Sequence, residues 1–144
     1  MRLALFAPLL AALAASGPAQ PGQDCVALPL SYQVEGADSV FVGRAISVEP
    51  WEGAPDWGGE IGRFVVEEWV KGSGADTVTV AVEGGELAGY GPDLRPGVRY
   101  VVLAETWPGS ALPVSPVCGA SSEAAWWSEE ELEALRALGA ASGR

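Results

Sequence analysis

The middle of the chain alternates apolar and polar positions with the two-residue period of half-buried strands. The runs that predict strands are 39–49, 61–70, 77–82, 99–105 and 112–117. In the first run, the branched apolar residues stand two apart and share one predicted buried face; they are Val40, Val42, Ile46 and Val48. Gly43 interrupts this run and predicts a bend or bulge. Pro113 and Pro116 confine the last run to a short edge strand, because proline has no N–H for a sheet ladder.

Near the C-terminus the apolar period changes to that of a helix, with Leu132, Leu135 and Leu138 on one face. Ser128 and Glu131 have the spacing of a capping box at the helix start, and Gly139 predicts its end. One of the two preceding tryptophans, Trp126 or Trp127, is expected to pack on the first turn as a hydrophobic staple, and the other points elsewhere. Five short strands followed by one helix predict a mainly β fold, a small antiparallel barrel or sandwich.

Residues 1–19 have the outline of a secretory signal peptide: Arg2, an apolar run over 3–15, and then small residues. Cleavage after Ala19 and cleavage after Ser16 both fit the small-residue rule. The apolar run is shorter than the roughly 20 residues of a spanning helix, so we expect no stable membrane insertion after the signal is removed. Residues 20–144 then form a single domain that is secreted, either to a periplasm or out of the cell.

The two cysteines, Cys25 and Cys118, are the only ones in the chain. An exported protein meets oxidising conditions, so they are expected to form one disulfide. The alternative is two free thiols, one of them reactive. The chain offers neither a Cys-x-x-Cys spacing nor a histidine to activate a thiolate.

The chain is strongly acidic, with 8 basic residues against 19 acidic ones and a net charge of −11. The basic residues are scattered, so nucleic acid is not an expected partner. With no histidine, zinc and copper sites of the ordinary kind are not expected, and no aspartate-rich calcium loop is present. We therefore expect no metal and no cofactor.

Catalytic motifs are also missing from the sequence: it has no nucleophile elbow, phosphate loop or dinucleotide fingerprint. A hydrolase would need paired carboxylates. Glu67 and Glu68 are adjacent on a predicted strand and face opposite sides, so Glu105 would have to approach one of them. Solvated strand residues are the simpler interpretation. A carboxylate-based hydrolase is thus the least favoured function, and we expect no enzyme.

Tryptophan is the residue in excess, with six in a small domain. Trp51 and Trp57 lie in the long predicted loop 50–59, and Tyr90 lies in the Gly-rich and Pro-rich loop 84–97. Aromatic side chains exposed on such loops stack on a protein, an extended peptide or a sugar ring. The alternative is that Trp51 and Trp57 fold back to cover the end of a barrel. These three residues are the candidate site of a noncatalytic module that binds a protein or peptide, or alternatively a carbohydrate or cell wall.

The order of several short segments resembles bacterial relatives of the tissue inhibitors of metalloproteinases, the TIMP-like or netrin-like modules. The matching segments are the cysteine after the signal, Ala37 to Arg44, Phe64 to Gly72, Pro96 to Val102, Cys118-Gly119 and Leu132 to Gly139. The resemblance covers most of the chain after the signal. It implies a five-stranded OB-like antiparallel barrel with a C-terminal α-helix.

Two departures from this family limit what the resemblance implies. Members usually carry Cys-x-Cys at the mature N-terminus and a further cysteine before the fourth strand, whereas here Val26 and Ala27 follow Cys25 and the loop around Tyr90 has no cysteine. In the animal inhibitors the first cysteine is the N-terminus, and its amine and carbonyl chelate the zinc of the protease. Here a tether of residues 20–24 precedes Cys25 if the signal is cut after Ala19. The resemblance therefore implies a binding module without zinc chelation by an N-terminal cysteine.

Overall fold

The computed structural model describes residues 25, 26, 28–85 and 90–143. Over these residues the chain is mainly β, with one short helix before the strands and one longer helix after them. The elements are α1 (Leu30–Gly36), β1 (Ser39–Pro50), β2 (Gly59–Lys71), β3 (Thr77–Glu83), β4 (Arg99–Ala104), β5 (Val114–Ser115), β6 (Ser122–Glu123) and α2 (Glu129–Ser142). The predicted signal peptide, 1–19, lies outside the described residues.

The four long strands lie where the alternating runs and the nearly all-apolar run 99–105 predict them. The fifth predicted strand shrinks to the two residues of β5, because it lies between Pro113 and Pro116. The sixth strand, β6, was not predicted, since two residues are too few to show a period. Among the described residues the sheet thus has six strands instead of the expected five.

The strands form one curled sheet in the order β5-β3-β2-β1-β4-β6. Its pairs are antiparallel except β3 with β5, which run parallel, so the sheet is mixed rather than wholly antiparallel as expected. Just after β4, Glu105 and Val114 exchange two backbone hydrogen bonds of 2.9 and 2.8 Å. This bridge brings the end of β4 to β5, which pairs with β3 on the far side of the sheet. The sheet thus has the shape of a half-barrel.

Strand β1 carries three register shifts against β2, one of them at the predicted bulge between Val42 and Gly43. A Cβ on Gly43 would lie 2.9 Å from the carbonyl oxygen of Val65, so only glycine fits there without a shift of the backbone. A second shift, between Ala45 and Ser47, turns Ile46 outward. Ile46 is 45% exposed, and Val48 packs against a different core cluster from Val40 and Val42, so the prediction that these four residues share one buried face was wrong.

Two apolar clusters form the core on opposite faces of the sheet. The first contains Phe41, Phe64 and Tyr100, with Trp69 packed against it. Strands β2 and β4 do not pair, yet the rings of Phe64 and Tyr100 have centroids 6.1 Å apart, because the sheet curls around this inner cluster. The second cluster lies under the helices and joins β1 and β4 to α1 and α2.

Helix α2 begins with the predicted capping box: the Ser128 hydroxyl accepts from Glu131 N, and the Glu131 carboxylate accepts from Ser128 N. Trp127 and Leu132 both pack against the second cluster, as expected of a staple, and Trp126 points outward with 71% of its surface exposed. The predicted stop at Gly139 was wrong, because the helix continues to Ser142. Gly139 is buried, and a Cβ there would collide with the carbonyl oxygen of Val70. This glycine permits close packing on β2.

The predicted disulfide between Cys25 and Cys118 is present, with the two Cα atoms 5.5 Å apart, and the alternative of two free thiols is set aside. The side-chain amide of Gln33 supports the same junction. It donates to Leu28 O at 2.8 Å and accepts from Ala120 N at 2.7 Å. A disulfide is typical of proteins outside the reducing cytoplasm. Neither described helix has the length and apolar character needed to cross a bilayer.

Candidate functional site

The loop between β1 and β2 holds Trp51 in a fixed position. Trp51 N donates to Gly59 O at 3.2 Å, and Ala54 N donates to Trp51 O at 3.1 Å, so the loop is closed by its own backbone. The indole lies against Gly59, where a Cβ would be 2.8 Å from Trp51 Cε3. The side chain is half-buried but belongs to neither core cluster.

The connection between β4 and β5 presents a second tryptophan, Trp107, in the same way. Its indole Nε1 donates to Glu105 Oε1 at 2.6 Å. A turn follows, in which Ser110 N donates to Trp107 O at 3.1 Å and the Ser110 hydroxyl donates to Leu112 O at 2.7 Å. The ring of Trp107 is therefore held by a carboxylate at the end of β4.

These two loops enclose a depression of about 390 Å³, which we call the tryptophan groove. It is lined by Trp51, Gly53, Pro55, Trp107, Pro108, Gly109, Ser110, Ala111 and Leu112. None of these described lining residues carries a charge. Glu52 and Asp56 stand beside the lining residues in the β1–β2 loop, and both are exposed. The groove is thus apolar and aromatic, and two exposed carboxylates are neighbours in sequence of its lining residues.

Trp57 is 44% exposed and lies over a buried carboxylate. Glu83, at the end of β3, is only 2% exposed. Its Oε2 accepts from Trp57 Nε1 at 3.3 Å and from Val117 N at 3.2 Å. Its Oε1 is buried and has no hydrogen-bond partner in the described part of the chain. The contact ties the Trp57 loop to the segment before Cys118. Because burying a carboxylate between two neutral donors is costly, this contact lowers the stability of the fold.

Around the disulfide lies the largest group of exposed apolar side chains, which we call the disulfide surface. Its members are Val26 (75% exposed), Leu28 (47%), Tyr32 (63%), Tyr90 (39%) and Trp126 (71%). Two depressions, of about 220 and 280 Å³, share Cys118 and Gly119 in their walls. The first is lined by Val26, Leu28 and Tyr32, and the second by Tyr90 and Trp126, so the surface is continuous across the disulfide.

The loop that carries Tyr90 is fixed by a buried tyrosine of the inner cluster. The Tyr100 hydroxyl donates to Asp93 O at 2.9 Å and accepts from Arg95 N at 2.8 Å. Burial of this hydroxyl raises the pKa of Tyr100 above its ordinary value. Gly85 N donates to Tyr90 O at 2.8 Å, so the backbone at Tyr90 is held from both sides. Of the loop 84–97, residues 86–89 lie outside the described residues.

The carboxylates considered for hydrolysis are separated. Glu67 pairs with Arg99 and Arg44, whereas Glu68 pairs with Arg136 of α2 on the other face of the sheet. Glu105 follows β4 at the end opposite Arg99 and binds the Trp107 indole, so it does not approach Glu67. Glu60, whose carboxylate accepts from Leu94 N in the loop 84–97 at 3.2 Å, has its pKa raised by burial. In the part of the chain that the structure describes, no three acidic or cysteine side chains cluster closely enough to hold a metal ion.

The structure does not bring the three predicted site residues together. Trp51 lines the tryptophan groove, Tyr90 lines the disulfide surface, and Trp57 lies between them on Glu83. Sequence reasoning missed Trp107, although an aromatic side chain followed by Pro-Gly-Ser after a strand signals a loop tryptophan like Trp51. It also missed Tyr32, for which no pattern in the sequence offers a signal.

Comparison with models of protein families finds no match for this chain, and comparison with curated proteins finds none either.

Proposed function

We propose that this chain is an exported, noncatalytic binding module for a protein or peptide, built on an OB-like barrel. The observation that carries the proposal is the disulfide surface, where five large apolar side chains are exposed around a covalent crosslink. A continuous apolar surface with tyrosine and tryptophan among its members is the composition of binding hot spots. The module resembles TIMP-like and netrin-like domains, and its tether before Cys25 separates it from inhibitors that chelate zinc with an N-terminal cysteine.

The crosslink contributes to binding by holding the surface in place before a partner arrives. Val26 and Leu28 come from the segment after Cys25, whereas Trp126 comes from the segment after Cys118. The disulfide and the two hydrogen bonds of Gln33 keep these segments together. A preformed surface loses less conformational entropy on binding, so more of the contact energy appears as affinity.

Strand order supports the OB-like barrel as the finer description of the fold. Strands β5, β3, β2, β1 and β4 are neighbours in that order, and the bridge between Glu105 and Val114 would close them into a ring. In barrels of this type, the loops that follow the first and fourth strands border the ligand face. In this chain those loops carry Trp51 and Trp107.

Selection of ligands from a random peptide library tests the proposed function. We expect peptides enriched on the wild type to lose at least about tenfold in affinity for Tyr90→Ala and for Trp126→Ala. The melting temperature should stay nearly constant, because both side chains are well exposed. Ile46→Ala is the matched control, since Ile46 is 45% exposed and lies on β1. Enriched peptides that bind Trp126→Ala and Tyr90→Ala as well as the wild type would contradict the proposal.

N-terminal sequencing of the exported protein, with the intact mass of the nonreduced chain, tests the compartment and the mode of binding together. We expect a mature chain that begins after Ala19 or Ser16. A chain that begins at Cys25 would instead free the amine of this cysteine and make metalloprotease inhibition the leading function.

The alternative ligand, a carbohydrate or cell-wall polymer, draws on a different observation. Two half-buried indoles, Trp51 and Trp107, line one groove, and indole rings stack on sugars. This alternative makes the groove, rather than the disulfide surface, the place of binding. Titration of the wild type, Trp51→Ala and Trp107→Ala with cellulose or chitin oligomers tests this alternative.

A further inference from the structure

We propose that the tryptophan groove is a second binding site, which takes an extended, proline-rich peptide segment that also carries basic side chains. The walls consist of two indoles, two prolines and a leucine, contributed by the β1–β2 and β4–β5 loops. Grooves lined by aromatic side chains bind polyproline II segments, whose shape is already formed before binding. The groove shares no lining residue with the two depressions of the disulfide surface, although Glu105, which holds Trp107, lines the first of those depressions.

Both indoles are held in place, which a preformed site requires. Trp51 rests on Gly59, where no side chain fits, and Trp107 is bonded to Glu105. The loops around them are closed by backbone hydrogen bonds of 2.8 to 3.2 Å. The groove therefore exists before the ligand arrives, and little ordering accompanies binding.

The polar groups of the groove suit a peptide better than a sugar. A sugar ring presents several hydroxyls, each of which needs a partner when it is buried. The Ser110 hydroxyl and the Trp107 N–H are already engaged, by Leu112 O and by Glu105. The indole N–H of Trp51 has no partner among the described residues. The groove therefore offers a free indole donor to the carbonyl groups of a proline-rich segment, and such a segment has few N–H groups that would themselves need acceptors in the groove.

Charge at the rim selects basic residues between the prolines. Glu52 and Asp56 are exposed beside the lining residues, and Glu105 holds Trp107. An arginine or lysine in the peptide would reach these carboxylates while its neighbours lie in the apolar groove. Since the rim is exposed, this part of the attraction weakens as salt screens it.

Calorimetric titration of the full chain with a synthetic peptide of the repeat Arg-Pro-Pro tests the proposal. We expect binding that weakens at least about tenfold in Trp51→Ala and in Trp107→Ala. Trp126→Ala, a tryptophan on the disulfide surface, is the matched control and should bind as the wild type does. Circular dichroism melts confirm that each variant is folded. At low salt a Glu-Pro-Pro repeat should bind more weakly than the Arg-Pro-Pro repeat. At high salt the difference in affinity between the two repeats should be smaller.

Glu105→Gln separates the charge from the positioning of Trp107, because glutamine keeps an acceptor for the indole N–H. This variant should bind the Arg-Pro-Pro peptide more weakly than the wild type does at low salt. Its affinity for a neutral proline peptide should be unchanged. Three results would overturn the proposal. The first is absence of Arg-Pro-Pro binding to the wild type. The second is binding of the peptide by Trp51→Ala and Trp107→Ala with the affinity of the wild type. The third is binding of cellulose or chitin oligomers to the wild type that those two variants abolish. The last would make the groove a glycan site.

Discussion

The tryptophan groove and the disulfide surface lie in the same small domain but are assembled in different ways. The groove consists of two loops, each closed by hydrogen bonds between residues that are near in sequence, and its indoles are half-buried. The disulfide surface gathers side chains from positions as far apart as Val26 and Trp126, and those side chains are 39 to 75% exposed. One site is shaped locally, and the other depends on a bond with a sequence separation of 93 residues.

The two sites are therefore vulnerable to different changes in the chain. A loop held by its own backbone survives changes elsewhere in the fold, provided that the strands at its ends remain paired. A surface gathered by a crosslink loses its arrangement when that crosslink is removed, even where the sheet persists. The two sites should therefore respond differently to the same perturbation.

Removal of the disulfide should have the largest effect. In the chain-entropy model a loop of this length contributes about 4 to 5 kcal/mol, so the double variant Cys25→Ser, Cys118→Ser should lose stability of that order. Below its melting temperature, it should no longer bind partners of the disulfide surface, yet it should still bind the Arg-Pro-Pro peptide. Urea denaturation and the two binding assays measure these effects.

The conservative control is the wild type under reducing conditions, which breaks the same bond without changing the sequence. It should match the double variant in both assays. Loss of Arg-Pro-Pro binding by a folded double variant would contradict the separation of the two sites.

Glu83 should have the next largest effect, because it joins the β1–β2 loop, which carries Trp51, to the segment before Cys118. Its Oε2 accepts from Trp57 Nε1 on the loop side and from Val117 N on the disulfide side. Glu83→Ala leaves both donors without this acceptor and should cost about 1 to 3 kcal/mol. Glu83→Gln keeps an acceptor and removes the buried charge, so it should be at least as stable as the wild type.

Urea denaturation of the two Glu83 variants at neutral pH gives the comparison directly. Equal destabilisation by alanine and by glutamine would mean that the negative charge itself is needed. In that case a cation, rather than two neutral donors, stabilises Glu83.

The strands and the start of α2 were predictable because their signals are local. Alternation marks β1 to β3, a nearly all-apolar run marks β4, and the spacing of Ser128 and Glu131 marks the cap. Gly139 misled the prediction, since a glycine near a helix end signals termination whether or not a neighbouring strand needs its space. The contact with Val70 that decides its role joins residues far apart in sequence.

The sites were predictable only in part for the same reason. That Trp51 and Trp57 lie on a loop follows from the composition of 50–59. That Trp107, rather than Trp57, shares the groove with Trp51 depends on β5, which pairs with β3 and bridges to Glu105. Glu83 follows the last residue of a predicted strand and looks like a solvated acid. It is buried because the Trp57 loop and the segment at Val117 cover it.

The smallest expected effect concerns Glu60, whose carboxylate lies against the loop 84–97, away from the residues that line the groove. Burial raises the pKa of Glu60 in the folded state, against the opposing effect of the hydrogen bond from Leu94 N. Between its ordinary pKa and this raised value the folded chain binds more protons than the unfolded chain, so this group's contribution to stability falls as pH rises. Glu60→Gln keeps an acceptor for Leu94 N and removes the charge.

We therefore expect Glu60→Gln to stabilise the protein at neutral pH, by no more than about 0.5 kcal/mol for a side chain that is only partly buried. The gain should shrink as the pH falls through the raised pKa, and it should vanish near pH 4, where the glutamate of the unfolded chain also takes up its proton. Urea midpoints of the variant and the wild type, measured across this range, give the difference, and binding of the Arg-Pro-Pro peptide should change little because Glu60 does not line the groove. A gain that grows toward acid pH would contradict the raised pKa. It would mean that the folded state stabilises the ionised carboxylate of Glu60.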